Sequence, residues 1–115
     1  MSDFDQLRTR IRQFAEERDW QQYHSPKNLA MALIVEAAEL VEHFQWLSEA
    51  QSQALSQDKL FQVGEELADI QIYLIRLADQ LNVDLLDAVD KKIATNARKY
   101  PAEKVRGSAR KYNEF

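Results

Sequence analysis

The sequence predicts an all-α protein, on three observations of composition and pattern. The 115 residues include only two glycines and two prolines, which leaves few breaks for the turns of a many-stranded β fold. Strong helix formers dominate the composition. Apolar residues recur at three- and four-residue steps over long stretches, the spacing of one helix face. The length predicts one domain over residues 1–115, with a modest apolar core.

Four helices follow from this periodicity, in order along the chain. The first is predicted over residues 3–19, where apolar side chains form one stripe. The second is predicted over residues 26–47, with Ser25 as its N-cap and Pro26 in the first turn, a position that proline favours. A looser connection with room for a short helix follows over residues 48–57.

The third and fourth helices are predicted over residues 58–81 and 85–99. Asn82 ends the third helix, and Asp84 is placed to cap the fourth. Residues 102–115 are expected to form a polar C-terminal tail. Wide apolar faces on the second and third helices predict a bundle of four to five helices, and a homo-oligomer that covers what one protomer leaves exposed.

Charge and cysteine content narrow the class of function. The formal net charge is −4, so the chain is not built for general attraction to a nucleic-acid polymer or an anionic membrane. No apolar run approaches the roughly 20 residues of a membrane span, and the N-terminus lacks the apolar core of a signal peptide. Cysteine is absent, which excludes thiolate chemistry, and a cytoplasmic location is expected.

The most informative feature is a pair of acidic motifs on the two long helices. Glu36 and Glu39 are three residues apart on the second helix, and Glu66 and Asp69 repeat that spacing on the third. Residues at this spacing share one helix face, and both pairs border an apolar stripe. If the two helices pack antiparallel, four carboxylates meet at one place, where like charges demand a divalent cation. Oxygen ligands of this kind suit Mg²⁺, with Mn²⁺ as a substitute.

An ordinary structural explanation competes with this hypothesis. Acids at this spacing are common on helices, and most of them are solvated or paired with Lys or Arg. Glu42, Glu49 and Glu65 are expected to be of that solvated kind. The sequence has no P-loop and no evident serine–histidine–acid set, so a phosphorylated ligand would depend on Mg²⁺ together with Lys and Arg.

Several longer strings accompany the acidic motifs. They are Glu-Arg-Asp-Trp20, His24-Ser-Pro-Lys-Asn28-Leu-Ala, Phe44-Gln-Trp46, Glu65-Glu-Leu-Ala-Asp69-Ile with Tyr73-Leu, Asn96-x-Arg98-Lys-Tyr100-Pro101 after Lys92, and Ser108-Ala-Arg-Lys-Tyr112. Together with the acidic motifs, these strings resemble the MazG-type all-α NTP pyrophosphohydrolases, and within them the dCTP pyrophosphatase branch. The resemblance covers nearly the whole chain.

The resemblance implies an activity, an assembly and a set of metal ligands. The activity is Mg²⁺-dependent cleavage of a deoxynucleoside triphosphate to the monophosphate and pyrophosphate, in a housecleaning role for the nucleotide pool. The assembly is a tight homotetramer, a dimer of dimers built by helix packing. Metal ligation carries over to Glu36, Glu39, Glu66 and Asp69. Our hypothesis for catalysis is that Glu36 or Glu39 takes the proton of the attacking water.

Aromatic and polar residues in the same strings are candidates for substrate binding. Aromatic rings suit base stacking, a loop histidine or an asparagine can hydrogen-bond a base or a sugar, and cationic side chains suit phosphates. The candidates are Trp20, His24, Asn28, Trp46, Tyr73, Lys92, Asn96, Arg98, Tyr100, Arg110, Lys111 and Tyr112. For each of them, a structural role in the core, at a helix cap or on a solvated surface is the competing interpretation.

Two positions depart from the dCTP-selective pattern. Ile11 stands where a histidine near the base is expected, and His43 stands where an aliphatic residue is expected. The base preference is therefore left open between dCTP and a broader choice that includes dATP or a modified dNTP. Two further hypotheses stay open: a non-catalytic helical interaction module, and an all-α pyrophosphohydrolase for another nucleotide, such as dUTP or a phosphoribosyl nucleotide.

Overall fold

The computed structural model of the chain describes residues 2–109, and within these residues the regular elements are all helical. They are α1 (Asp3–Glu17), α2 (Pro26–Glu42), α3 (Glu49–Ser52), α4 (Gln57–Gln80), α5 (Leu85–Lys99) and α6 (Ala102–Val105), with a 3₁₀ turn at Gln21–Tyr23 between α1 and α2. The predicted all-α class is confirmed. Since α3 and α6 have only four residues each, the four predicted helices are the four long ones.

Side-chain caps explain where the long helices begin. Ser2, Ser25 and Ser56 each accept a hydrogen bond from the backbone N–H three residues ahead, at the starts of α1, α2 and α4. Asp84 does the same at the start of α5. These bonds satisfy N–H groups that have no partner within the first helical turn. The caps predicted at Ser25 and Asp84 are therefore confirmed.

The ends of the helices differ from the prediction mainly after α2. This helix stops at Glu42, and hydrogen-bonded turns carry the chain on to Leu47, the predicted end. Asn82 follows α4 with a φ of 56°, in the left-handed region that asparagine tolerates better than most residues. The short helix α6 lies inside the segment that was expected to be a polar tail.

The chain divides into two compact units, the first ending at Asn82 and the second beginning at Val83. In the first unit α2 packs along α4, and α1 packs against α4. The second unit contains α5 and α6. Among residues 2–109, the buried apolar side chains all lie in the first unit and are Ala15, Leu29, Val63, Ile75 and Ala78. That the chain folds as one domain stays a prediction.

Large apolar side chains stand exposed on the long helices of the single chain. Ile34 on α2 is 65% exposed, and Phe61 on α4 is 70% exposed. Many large apolar side chains left exposed on long helices indicate a contact surface. Within residues 2–109, every helix is too short or too polar to pass through a lipid bilayer.

Candidate metal centre and adjoining pocket

Contacts between α2 and α4 show that the two helices run in opposite directions. Glu36 of α2 lies against Glu66 of α4, and His43 at the end of α2 contacts Lys59 near the start of α4. Residue numbers rise along one helix as they fall along the other, so the pair is antiparallel. Seven residues separate the two contacts on each helix, which places them two turns, or about 10 Å, apart along the groove.

Three carboxylates meet between these antiparallel helices. Glu36, Glu39 and Glu66 each direct one oxygen to within 4.8 Å of the other two, and all three side chains are half-buried. Oε2 of Glu36 and Oε2 of Glu66 are buried and have no hydrogen-bond partner among residues 2–109. Because a buried carboxylate oxygen without a partner is costly, the cluster is an arrangement that a bound cation would complete.

Repulsion within the cluster changes the pKa of Glu36. The pKa of its carboxyl is raised from 4.5 to about 7, and Glu66 is the largest cause, followed by burial and by the charges of Glu39 and Asp69. Glu36 and Glu66 can share a hydrogen bond only while one of them holds a proton. Ionised, the two carboxylates repel each other and leave their inner oxygens unpartnered.

Asp69 stands at the edge of this cluster. Its charge contributes to the raised pKa of Glu36, so it is close enough to act on that group. Its side chain is exposed, and the three-oxygen cluster found among residues 2–109 does not include it. The antiparallel pairing thus brings three of the four predicted ligands together and places the fourth beside them.

The cluster fits a hard divalent cation. Two oxygens on opposite sides of Mg²⁺ lie about 4 Å apart, so small side-chain adjustments would bring the three oxygens onto one ion. Among residues 2–109, no Lys or Arg forms an ion pair with Glu36, Glu39 or Glu66. Three other acids are exposed, as expected for solvated side chains: Glu42, Glu49 and Glu65.

A cavity of about 250 Å³ adjoins Asp69. It is lined by α1, by α4 and by the segment that joins α1 to α2, through Ile11, Phe14, Ala15, Trp20, His24, Asp69, Ile72, Tyr73 and Arg76. The Trp20 ring meets Phe14 edge-to-face, with 5.8 Å between the ring centres. Three of the residues predicted to bind substrate therefore line one pocket beside a predicted metal ligand: Trp20, His24 and Tyr73.

The other substrate-binding candidates in the first unit lie elsewhere. Asn28 donates from Nδ2 to the backbone oxygen of Tyr23 at 3.1 Å, which is a structural role. Trp46 lies in the turns after α2 and is 86% exposed. Neither residue lines the cavity beside Asp69.

The remaining candidates belong to the second compact unit or fall outside residues 2–109. Lys92, Asn96 and Arg98 belong to α5 and Tyr100 is its C-cap, all in the second unit. Arg110, Lys111 and Tyr112 lie outside the residues that the structure describes.

Two cationic residues at the site were not among the candidates. Arg76 donates from Nε to Nδ1 of His24 at 3.2 Å, and Nζ of Lys59 lies 3.3 Å from Nδ1 of His43. Their spacing in the sequence could have indicated both residues. Lys59 is seven residues before Glu66, and Arg76 is seven residues after Asp69. Each cation therefore lies on the same face of α4 as the acid seven residues away from it.

Known proteins resemble this chain over most of its length. The proteins named dCTP pyrophosphatase 1 from Rattus norvegicus and Homo sapiens are 47% and 46% identical to it over 105 residues. Each alignment covers 90% of this chain and 62% of the relative, so the chain spans less than two thirds of the length of these curated relatives. A crystal structure of a pyrophosphatase from Archaeoglobus fulgidus matches with a TM-score of 0.73 and 38% identity, covering 88% of this chain and 94% of that chain.

A match to a family model identifies the family of this chain. The model of the MazG-like family matches residues 31–115, a span that includes all four carboxylates of the two acidic motifs. That span is well over half of the sequence. The chain therefore belongs to the MazG-like family.

Proposed function

We propose that this protein is a Mg²⁺-dependent nucleoside triphosphate pyrophosphohydrolase that converts a dNTP to the dNMP and pyrophosphate in the housecleaning of the nucleotide pool. The observation that carries the proposal is the cluster of Glu36, Glu39 and Glu66, with two buried unpartnered oxygens, next to a pocket with aromatic walls. The names of the relatives, dCTP pyrophosphatase 1 and pyrophosphatase, support the reaction class. They favour dCTP as substrate, with dATP or a modified dNTP as the alternative.

The metal site proposed here consists of Glu36, Glu39, Glu66 and Asp69. Mg²⁺ bound there, or Mn²⁺ in its place, supplies neutralisation of phosphate charge and acidifies a water. Without a cation the cluster would repel a triphosphate, because its charge has the same sign. The proposal thus explains how an acidic wall serves an anionic substrate.

The residues of the chain have separate roles in the proposed reaction. A carboxylate of the cluster, Glu36 or Glu39, accepts the proton of the attacking water. Trp20 and Tyr73 hold the base in the pocket beside Asp69, where an aromatic surface suits stacking. His24 hydrogen-bonds the base.

The order of groups along α4 fits the order of parts in a nucleotide. The pocket extends from Asp69 towards the C-terminal end of the helix, Glu66 follows, and Lys59 lies two turns further towards the N-terminal end. A base in the pocket would therefore direct its phosphates past the carboxylates towards the ammonium group of Lys59. That cation is placed to hold the departing pyrophosphate, where negative charge develops.

The assembly and the remaining candidates belong to the same proposal. We propose a cytoplasmic homotetramer, a dimer of dimers, supported by the exposed apolar surface around Ile34 and Phe61. Candidates for further contacts with the nucleotide, from the same or a neighbouring protomer, are Asn28, Trp46, Lys92, Asn96, Arg98, Tyr100, Arg110, Lys111 and Tyr112.

A panel of canonical and modified dNTPs with Mg²⁺, scored for released pyrophosphate, tests the proposal. We expect turnover of at least one deoxynucleotide, and loss of it in Glu39→Gln, which keeps the size of the side chain and removes its charge. Glu42→Gln is the matched control, because Glu42 is exposed on the same helix. No turnover of any nucleotide by the wild type, or near-wild-type turnover in Glu39→Gln, would refute the proposal.

A further inference from the structure

Arg76 is a buried charge to which the proposed reaction gives no role. Its side chain is 3% exposed, and among residues 2–109 it is the one charged side chain that is buried. Removing a guanidinium from water is costly unless its N–H groups find partners. The partners of Arg76 therefore indicate what keeps it in the wall of the pocket.

One side of Arg76 is anchored by an acid that a second arginine shares. Nη1 of Arg76 lies 3.6 Å from Oδ2 of Asp79. Asp79 also accepts two hydrogen bonds from Arg12 on α1, at 2.9 Å from Nε and 2.6 Å from Nη2. Hydrogen bonding to Arg12, with a smaller contribution from Arg76, holds the pKa of Asp79 below its ordinary value. The guanidinium of Arg76 is thus fixed against a carboxylate that stays ionised.

The other side of Arg76 holds His24. Nε of Arg76 donates to Nδ1 of His24 at 3.2 Å, and Nε2 of Gln80 donates to the backbone oxygen of His24 at 2.9 Å. Arg76 and Gln80 are one turn apart on α4, so a single helix face fixes both the ring and the backbone of His24.

The hydrogen bond from Arg76 determines which ring nitrogen of His24 carries the proton. A guanidinium has only N–H donors, so Nδ1 of His24 must offer its lone pair, and the neutral ring carries its proton on Nε2. Burial, and then the positive charge of Arg76, lower the pKa of His24 and so favour the neutral ring. Among residues 2–109, no group accepts a hydrogen bond from Nε2 of His24. Because His24 lines the pocket, this donor is available to an occupant.

We propose that Arg76 is a positioning and specificity-determining residue: it fixes His24 as the Nε2–H tautomer, so that the pocket selects a base that presents a hydrogen-bond acceptor to His24. The inference rests on the proposed function, because it takes the occupant to be the base of a nucleotide. A carbonyl oxygen or an unprotonated ring nitrogen on the base edge accepts this bond. An edge without an acceptor would cover this donor and leave it without a partner, and such a site rejects it.

NMR of the histidine ring nitrogens in the nucleotide-free wild-type protein tests the tautomer directly. The chain has only two histidines, so a His43→Gln variant assigns the signals of His24. We expect Nδ1 of His24 in the unprotonated range and Nε2 in the protonated range at neutral pH. This readout needs no turnover, so it stays decisive even if the proposed activity is absent.

Kinetics with two triphosphates test the selection of the base. One probe is dCTP, and the other carries a phenyl ring in place of the base and has no acceptor. In Arg76→Met the ring of His24 loses its anchor as well as its fixed tautomer, so we expect KM for dCTP to rise up to about tenfold with kcat little changed, while KM for the phenyl probe stays the same. The His24 signals should then show a mixture of tautomers, and Arg76→Lys, which restores a donor, should recover part of the loss.

Arg12→Met is the matched control, because it breaks the same network at Asp79 and leaves the bond to His24 in place. It should change neither the tautomer nor the ratio of the two KM values. A proton on Nδ1 of His24 in the wild type overturns the inference, and so does an unchanged KM ratio in folded Arg76→Met. If that variant fails to fold, the NMR result on the wild type decides. Absence of turnover in the wild type would instead refute the proposed function.

Discussion

At the scale of single residues, Glu36 is a proposed metal ligand whose pKa is changed by its neighbours and by burial. Its pKa is raised from 4.5 to about 7, first by Glu66 and then by burial. The metal-free folded state therefore binds a proton on Glu36 more tightly than the unfolded chain does. The resulting stabilisation is fully present below about pH 4.5 and is lost as the pH rises through about 7.

Glu36→Gln should raise the stability of the metal-free protein above about pH 7, because the amide resembles the protonated acid and cannot ionise. A pKa unit corresponds to about 1.4 kcal/mol, and partial solvation reduces the effect, so we expect a gain of about 1–2 kcal/mol. Urea unfolding with a chelator present measures it. The gain should vanish below about pH 4.5, where the wild type is protonated.

The control for this variant is Glu42→Gln, which removes an exposed charge from the same helix. It should change the free energy of unfolding by less than about 0.5 kcal/mol at any of these pH values. A gain in Glu42→Gln equal to that in Glu36→Gln would attribute the effect to net charge instead of the carboxylate cluster.

Mg²⁺ should stabilise the wild type more at about pH 8 than at about pH 6, because the metal must displace the proton that the raised pKa of Glu36 retains. The rise in melting temperature on adding Mg²⁺ without nucleotide measures this difference. Glu36→Gln should show little rise at either pH. An equal rise at both values in the wild type would place the ion on other groups.

At the scale of elements, α4 supplies residues to every part of the proposed site, in order along the helix. Lys59 is near its start, Glu66 and Asp69 follow in the middle, and Arg76 contacts His24 near its end. A rigid helix keeps the spacing of these groups constant. The site therefore depends on the register of α4 against α2 more than on any loop.

Lys59→Gln should raise KM for the nucleoside triphosphate roughly fivefold, because an ammonium–phosphate contact at a half-buried position is worth about 1 kcal/mol. The Mg²⁺-induced rise in melting temperature without nucleotide should not change, since Lys59 lies outside the carboxylate cluster. Lys27→Gln, an exposed lysine in the first turn of α2, is the matched control. Equal effects of the two substitutions on KM would mean that only net charge matters.

Local signals made the helices predictable from the sequence. The cap at Asp84 and the left-handed Asn82 bound a segment whose predicted range, residues 85–99, is that of α5 (Leu85–Lys99). The end of α2 was predicted too late because the turns up to Leu47 continue with helix-like hydrogen bonds, and the apolar spacing does not register the change. Helix starts depend on side-chain caps, whereas this helix end has no such marker.

Residue spacing alone predicted the parts of the site that share a helix. Spacing within α2 and α4 grouped the acids into two pairs, and the antiparallel packing then brought three of the four together. The bond from Arg76 to His24 links residues 52 positions apart, and that from Lys59 to His43 links residues 16 apart. No periodicity encodes such pairs, because they depend on the register between elements.

At the scale of the whole molecule, the single chain leaves much of its apolar surface uncovered. The buried core is small and consists of five apolar side chains among residues 2–109. On α2 and α4, by contrast, Ile34 is 65% exposed and Phe61 is 70% exposed. Burying apolar surface is the main favourable contribution to association, so these helices favour the proposed homotetramer.

Phe61→Glu should therefore break the assembly into dimers or single protomers, because a charge buried at a packed apolar interface has no compensating partner. Light scattering over a dilution series measures the mass, and circular dichroism checks that the helices remain. Gln62→Glu is the matched control: it adds the same charge at the next, exposed position of α4, which points about 100° away around the helix. If the wild type already has the mass of one protomer, or if Phe61→Glu keeps the mass of four, the surface around Phe61 does not hold the protomers together.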